Sequence, residues 1–212
     1  MRFIHMLRVA AGIALCAQAG AQTSAPYQWD SIAIGGGGFV SALVMSKTQP
    51  NLFYVRTDVG GAYRWDNSAQ RWVSLMDWVS EDETGLLGVE SIALDPKDSA
   101  KIYMVAGISY FNGGKTVVLR SSNYGRTFAM TDVTNQFRAH GNGMGRQNGE
   151  RLQVDPGSSN VLYTGTRTNG LFRSTDSGVS WSRVSALPVT TTPPSVANSP
   201  ESPGNGVSRG GR

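Results

Sequence analysis

Three stretches of the chain repeat one order of short apolar strand, polar turn and returning strand, and few folds satisfy such a repeat. The first runs Leu52-Phe53-Tyr54-Val55-Arg56, then Ala62-Tyr63-Arg64-Trp65, and closes on Trp72. The second opens at Leu94-Asp95-Pro96 and continues through Ile102-Tyr103-Met104-Val105 to Val117-Val118-Leu119-Arg120 and Phe128. The third opens at Val154-Asp155-Pro156 and continues through Val161-Leu162-Tyr163 to Leu171-Phe172-Arg173 and Trp181. The landmarks Arg64, Arg120 and Arg173 are 56 and 53 residues apart. A near-constant interval of that size marks one supersecondary unit used three times.

Within each unit, apolar residues alternate with others, as a strand packed on one face requires. The Asp-Pro pairs start turns, because Asp accepts nearby backbone N–H groups and Pro fixes φ and cannot extend a ladder. In the third unit Ser174, Asp176, Gly178 and Trp181 form the hairpin signature called an Asp-box: a carboxylate to bind the turn, a glycine for positive φ and an aromatic anchor. The second unit has Asn123 and Phe128 at the corresponding places, and the first keeps only its closing aromatic. The 26 glycines lie between short apolar runs with no three-residue period, which indicates tight turns rather than collagen. The expected class is all-β, a β-propeller represented by about three blades. Characteristic propellers need at least four blades to close. A fan of three exposes sheet edges and apolar faces, so the chain reads as a truncated product, ending its propeller near Val189.

The ends differ in character from the repeats. A short basic start with Arg2 and Arg8 precedes an apolar run from Val9 to Ala17 and small residues suited to cleavage after Ala19 or Ala21. Residues 1–21 are therefore expected to be a signal peptide. The run is shorter than the roughly 20 residues that span a bilayer, so the processed chain is expected to be secreted or periplasmic and free of membrane. The one cysteine, Cys16, falls in this leader, and His140 is the one histidine outside it. Thiol chemistry and a histidine-rich metal site are thereby excluded, and no cofactor is expected. Without the leader, 17 basic residues face 15 acidic ones, dispersed along the chain, which argues against nucleic acid. Residues 22–189 are expected to hold the partial propeller. Residues 190–212, rich in Pro, Ser and Gly, are expected to be disordered.

Asp58 is the principal candidate for chemistry. It stands between two strands, before Gly60-Gly61, where a carboxylate can face a central groove and the glycines permit close approach. Capping of the turn is the competing role. Gly35-Gly36-Gly37-Gly38 lacks the spacing of a phosphate cradle and reads as a close-packed turn opening the first strand. In the glycine-rich segment 141–152, Arg146, Glu150 and Arg151 are placed to bond sugar hydroxyls or each other. Tyr63, Trp65, Trp78, Tyr110 and Phe111 are candidates for stacking on sugar rings, with the core as the competing destination for most aromatics. The acidic run Glu81-Asp82-Glu83 reads as a solvated loop.

The strings Arg56-Thr57-Asp58-Val59-Gly60-Gly61-Ala62-Tyr63-Arg64-Trp65, Gly88-Val89-Glu90-Ser91-Ile92-Ala93-Leu94-Asp95-Pro96 and Gly149-Glu150-Arg151-Leu152-Gln153-Val154-Asp155-Pro156, with Met76-Asp77-Trp78, closely resemble the N-terminal part of glycoside hydrolase family 74, the xyloglucanases. The resemblance extends from Tyr27 to about Val189. It implies a seven-bladed propeller facing a second, C-terminal one across a cleft, a xyloglucan or related β-glucan substrate, and inverting cleavage of the β-1,4-glucan backbone. It further implies that Asp58 is the general base and that the general acid comes from the second propeller, so that it is missing from this chain. Inverting carboxyl groups stand about 6.5–9.5 Å apart to admit a water. The competing readings are a non-catalytic carbohydrate- or protein-binding propeller fragment and a sialidase-like Asp-box protein. Against the latter, the arginine motif usual upstream in sialidases is absent between Asp30 and Arg56.

Overall fold

The computed structural model describes residues 35–187; the expected leader and the tail from Thr190 lie outside the described residues. Each repeat folds as one antiparallel meander. Sheet 1 is β1 (Val40–Met45), β2 (Phe53–Thr57), β3 (Ala62–Asp66) and β4 (Arg71–Ser74). Sheet 2 is β5 (Val89–Leu94), β6 (Ile102–Ala106), β7 (Val117–Ser121) and β8 (Ala129–Asp132). Sheet 3 is β9 (Leu152–Val154), β10 (Leu162–Gly165), β11 (Leu171–Ser174) and β12 (Ser182–Arg183). The register repeats as well: Tyr54 pairs with Arg64, Tyr103 with Arg120 and Tyr163 with Arg173 across the second and third strands. Sheets 1 and 2 also share a register shift in the first strand, at Val40/Ala42 and at Val89/Ser91.

The period of two along a strand decides how the sheets stack. Tyr54 and Ala62 on one face of sheet 1 pack with Ile92, Met104 and Leu119 of sheet 2. The other face of sheet 2, with Tyr103, Val105 and Val118, packs on Leu152, Leu162 and Phe172 of sheet 3. Sheet 2 is thus covered on both sides, and all five residues of β6 are buried. That is why Ile102-Tyr103-Met104-Val105-Ala106 reads as an unbroken apolar run.

Both Asp-box hairpins fold alike despite their different sequences. In sheet 3, Asp176 Oδ1 accepts Ser174 Oγ–H at 2.8 Å and Ser180 N–H at 2.9 Å, and Gly178 N–H donates to Ser174 Oγ at 2.8 Å. In sheet 2, Asn123 Oδ1 accepts Ser121 Oγ–H at 2.9 Å and Thr127 N–H at 3.0 Å, and Gly125 N–H donates to Ser121 Oγ at 2.9 Å. An amide oxygen replaces a carboxylate oxygen in the same acceptor role. Tyr124 and Gly125 have φ of 62° and 79°, and Ser177 and Gly178 have 59° and 84°. The hairpin of sheet 1 is different: Asp66 accepts Ser68 and Ala69 N–H, and Gln70 is the residue with positive φ, 49°. The Asp-Pro turns form as expected, Asp95 accepting Lys97 N–H at 2.8 Å and Asp155 accepting Gly157 N–H at 2.7 Å.

The acidic run departs from the expected solvated loop. It opens a 3-10 segment, Glu81–Leu87. Glu83 pairs with Lys115, and the Asp82 carbonyl accepts an N–H from Asn112. The loop between β6 and β7 supplies both partners, a long-range closure that local composition does not encode.

Leu119, fully buried between sheets 1 and 2, gives a direct test of this packing. Leu119→Ala is expected to cost about 2–5 kcal/mol, read as a lower urea midpoint at unchanged slope. The Asp-box carries its own pH signature. Hydrogen bonds from Ser180, above all, hold the Asp176 carboxyl down to about 2. A depressed folded-state value stabilises fully above the unfolded value of about 3.9, and the contribution is lost as pH falls through about 2. Asp176→Asn should therefore lose less stability than the wild type on acidification through that window, in denaturant titrations at stepped pH.

Candidate active site

Asp58 follows β2 directly and is held from several sides. Its backbone N–H donates to the Phe39 carbonyl at 3.1 Å, and the Phe39 N–H donates back to Asp58 Oδ1 at 2.7 Å. The turn beneath it is closed by Thr57, whose Oγ donates to the Gly61 carbonyl at 2.9 Å and accepts Gly60 N–H at 2.8 Å. The glycine run serves close packing, as expected. A Cβ on Gly60 would sit 1.9 Å from the Gly37 carbonyl oxygen, and Gly38, at φ +94°, passes Asp58 Oδ1 with room for no side chain beyond 3.1 Å. The carboxylate is consequently 6% exposed and cannot swing away.

The second carboxylate oxygen faces an arginine. Arg146 Nε lies 3.1 Å from Asp58 Oδ2, and the Arg146 guanidinium covers the Phe39 ring at 5.2 Å. Arg146 sits in the loop between β8 and β9, and a buried charge pair anchors that loop. Arg56, 0% exposed, donates from Nε to Glu150 Oε1 at 2.7 Å, from Nη1 to Ser41 Oγ at 2.8 Å and from Nη2 to the Arg146 carbonyl at 3.0 Å. Glu150 Oε2 accepts Ser91 Oγ–H at 2.7 Å and Ile92 N–H at 2.5 Å. Sheets 1 and 2 and the loop that presents Arg146 are therefore joined through one carboxylate.

A parallel cluster surrounds Glu90. Its Oε1 lies 2.7 Å from Arg151 Nε and 3.0 Å from Arg167 Nη2, and its Oε2 accepts His140 N–H at 2.8 Å. Burial pushes the His140 imidazole below its usual range, with Arg167 acting in the same direction. Asp58, Gly107 and Arg167 each stand four positions past the tyrosine of a Tyr–Arg pair. The loops after β2, β6 and β10 therefore share one end of the sheets. Tyr110 and Phe111, on the loop after β6, are exposed to 62% and 45%. Their rings touch, and Asn142 donates to the Tyr110 hydroxyl at 2.7 Å.

Of the residues singled out with Asp58, Arg146 is the one that reaches it. Glu150 is committed to Arg56, Ser91 and Ile92, and Arg151 to Glu90, so the two do not pair with each other. Tyr63 is buried, its hydroxyl against Gly36, and that burial raises its ionisation above the ordinary phenol range. Trp65 lies further along β3, edge-on to Trp72 at 5.4 Å. Trp78 donates Nε1–H to the Leu75 carbonyl at 3.0 Å and packs against Phe128. Ser174, Asp176, Gly178 and Trp181 build the hairpin expected of them. Arg56, Ser41, Glu90 and Ser91 complete the site without having been singled out. The available signal was a charged residue inside an apolar strand, which a fold retains only with a partner.

No family model matches the chain. A curated relative, xyloglucanase Xgh74A of Acetivibrio thermocellus, is 47% identical over 173 residues, which is 79% of this chain and 20% of the relative. The crystal structure of a GH74 xyloglucanase from Xanthomonas campestris superimposes with a TM-score of 0.69 at 48% identity, over 77% of this chain and 23% of that one. That of a Niastella koreensis GH74 enzyme gives 0.68 at 53% identity, over 72% and 22%. The chain spans about a fifth of the length of the curated relatives it matches. Its stacked four-stranded sheets are those of a partial β-propeller, and its sequence and fold together assign the chain to glycoside hydrolase family 74.

Proposed function

We propose that the Asp58 end of these sheets is the general-base half of an inverting site for the β-1,4-glucan backbone of xyloglucan. One observation carries the reading: a carboxylate at the end of a strand, buried to 6% exposure and fixed by Phe39 N–H and Arg146, with exposed aromatic rings on the neighbouring loop. A general base must be held within hydrogen-bond reach of the proton it takes. Each carboxylate oxygen accepts more than one hydrogen bond, so Asp58 can engage a water while keeping both fixed partners.

In this mechanism Asp58 takes a proton from a water as that water attacks the anomeric carbon, and a separate acid protonates the departing oxygen. Glu90 and Glu150 are unsuited to the acid role, because arginines on each hold them ionised and an acid must carry a proton. The acid is accordingly assigned to a part of the enzyme outside the described residues, the second propeller that the family resemblance implies. Tyr110 and Phe111 offer ring faces to the sugar, and Arg146 keeps the base in register. The names of the relatives support the substrate class. Export through the leader expected over residues 1–21 suits a polymeric substrate.

Without its acid partner the chain should turn over xyloglucan about 10²–10⁴-fold more slowly than a complete enzyme of the family, measured as reducing ends released. Asp58→Asn should abolish the remainder; ordinary turnover by the wild type, or activity indifferent to this substitution, would sink the assignment. In calorimetric titration with a xyloglucan oligosaccharide, Tyr110→Ala should weaken binding by about 1 kcal/mol, roughly fivefold. Trp65→Ala, at the far end of β3, should leave it unchanged.

A further inference from the structure

The two covered sheet interfaces use the same receiving positions. In sheet 1 these are Tyr54 and its register partner Arg64, with Leu75 and Trp78 after β4. In sheet 2 they are Tyr103 and Arg120, with Val133 and Phe137 after β8. Leu75 and Val133 close their sheets alike, donating N–H to the Ala62 and Thr116 carbonyls at 2.9 and 3.0 Å.

What these positions receive is also constant. The Asp-box hairpin of the following sheet lies on them, with its glycine in closest approach. A Cβ on Gly125 would stand 3.1 Å from Leu75 Cδ1, and one on Gly178 would stand 3.2 Å from Arg120 Cδ. The residue before each glycine, Tyr124 or Ser177, lies beside the tyrosine of the receiving sheet. The closing aromatic of each hairpin then meets the receiving linker: Phe128 packs on Trp78 at 6.5 Å and Trp181 stands edge-on to Phe137 at 6.1 Å.

Sheet 3 carries the same receiving set on the face turned away from sheet 2. Tyr163 is paired with Arg173, and Val184 donates N–H to the Leu171 carbonyl at 2.9 Å. Leu187 stands three positions further on, as Trp78 does from Leu75. Among the described residues no sheet covers this face. Arg173 is exposed and rests on the Tyr163 ring at 5.8 Å, and Leu187 is 50% exposed.

We infer that this face of sheet 3 is a docking surface for a further four-stranded sheet of the Asp-box type, one whose hairpin has a left-handed glycine and an aromatic three residues beyond it. Continuity with two interfaces built on the same positions carries the inference, which does not rest on the catalytic reading. A second copy of this chain fits less well as the occupant. Its unpaired sheet 1 has Ala69 where the other hairpins have glycine, with the left-handed conformation displaced to Gln70.

Stacked repeats can be extended by duplication, since each unit contacts only its neighbours. A copy of residues 134–187, which contains one Asp-box hairpin, is inserted after Leu187 in the full chain, and side-chain accessibility is read by hydroxyl-radical footprinting. Labelling of Tyr163 and Leu187 in the original third repeat should fall to that of Tyr103 and Phe137 in the parent. Gly178→Val made in the added copy only should restore it. Unchanged labelling, or equal protection with the valine in place, overturns the inference. Lost protection at Tyr103 and Phe137 overturns it too, because the added unit would then disrupt the stack rather than join it. Protection of Tyr163 and Leu187 that rises with concentration in the parent chain would assign the face to a second copy instead.

Discussion

The arrangement depends on one buried charge. Arg56 is wholly withdrawn from solvent, and an ionised guanidinium in such a place is tolerated only with a counter-charge and its donors satisfied. Glu150 supplies the charge from 94 positions away in the chain, and Ser41 and the Arg146 carbonyl take further donors. Because Glu150 also accepts Ser91 and Ile92 of β5, sheets 1 and 2 and the loop before β9 meet at one carboxylate. Breaking the pair would leave an unpaired charge in the interior, so the loop that presents Arg146 to Asp58 is held by the same condition that holds the sheets.

Around that lock the repeats act as spacers. The Asp-box hairpin fixes a left-handed glycine by side-chain hydrogen bonds, and the lack of a Cβ lets the turn lie against the preceding sheet. Asp176 and Asn123 are interchangeable there because the turn needs an oxygen acceptor rather than a charge. Trp181 and Phe128 differ in size and fill the same place against the linker of the preceding sheet.

Function sits where this regularity is broken. Asp58 occupies the place taken by Gly107 and Arg167 in the other sheets, and Gly37, Gly38 and Gly60 pack so closely that the carboxylate has one direction open. The first strands of sheets 1 and 2 both shift register, which turns Ser41 and Glu90 inward as buried polar groups. One orders the arginine behind the candidate base, and the other gathers Arg151, Arg167 and His140.

Repeat spacing, alternation and turn chemistry are local properties, and from them alone the amino-acid order determined the meanders, the Asp-Pro turns, both Asp-box hairpins and the position of Asp58 between two strands and two glycines. It left open the partners of side chains belonging to different repeats. Glu150 was legible as a polar residue in a glycine-rich loop and equally fit for a sugar, and Trp78 was legible as a stacking platform. Only the stacking of the sheets brought Glu150 to Arg56 and Trp78 to Phe128. A repeating pattern specifies which face of a strand is apolar, whereas the meeting of charges 94 positions apart is decided by how one sheet lies on the next.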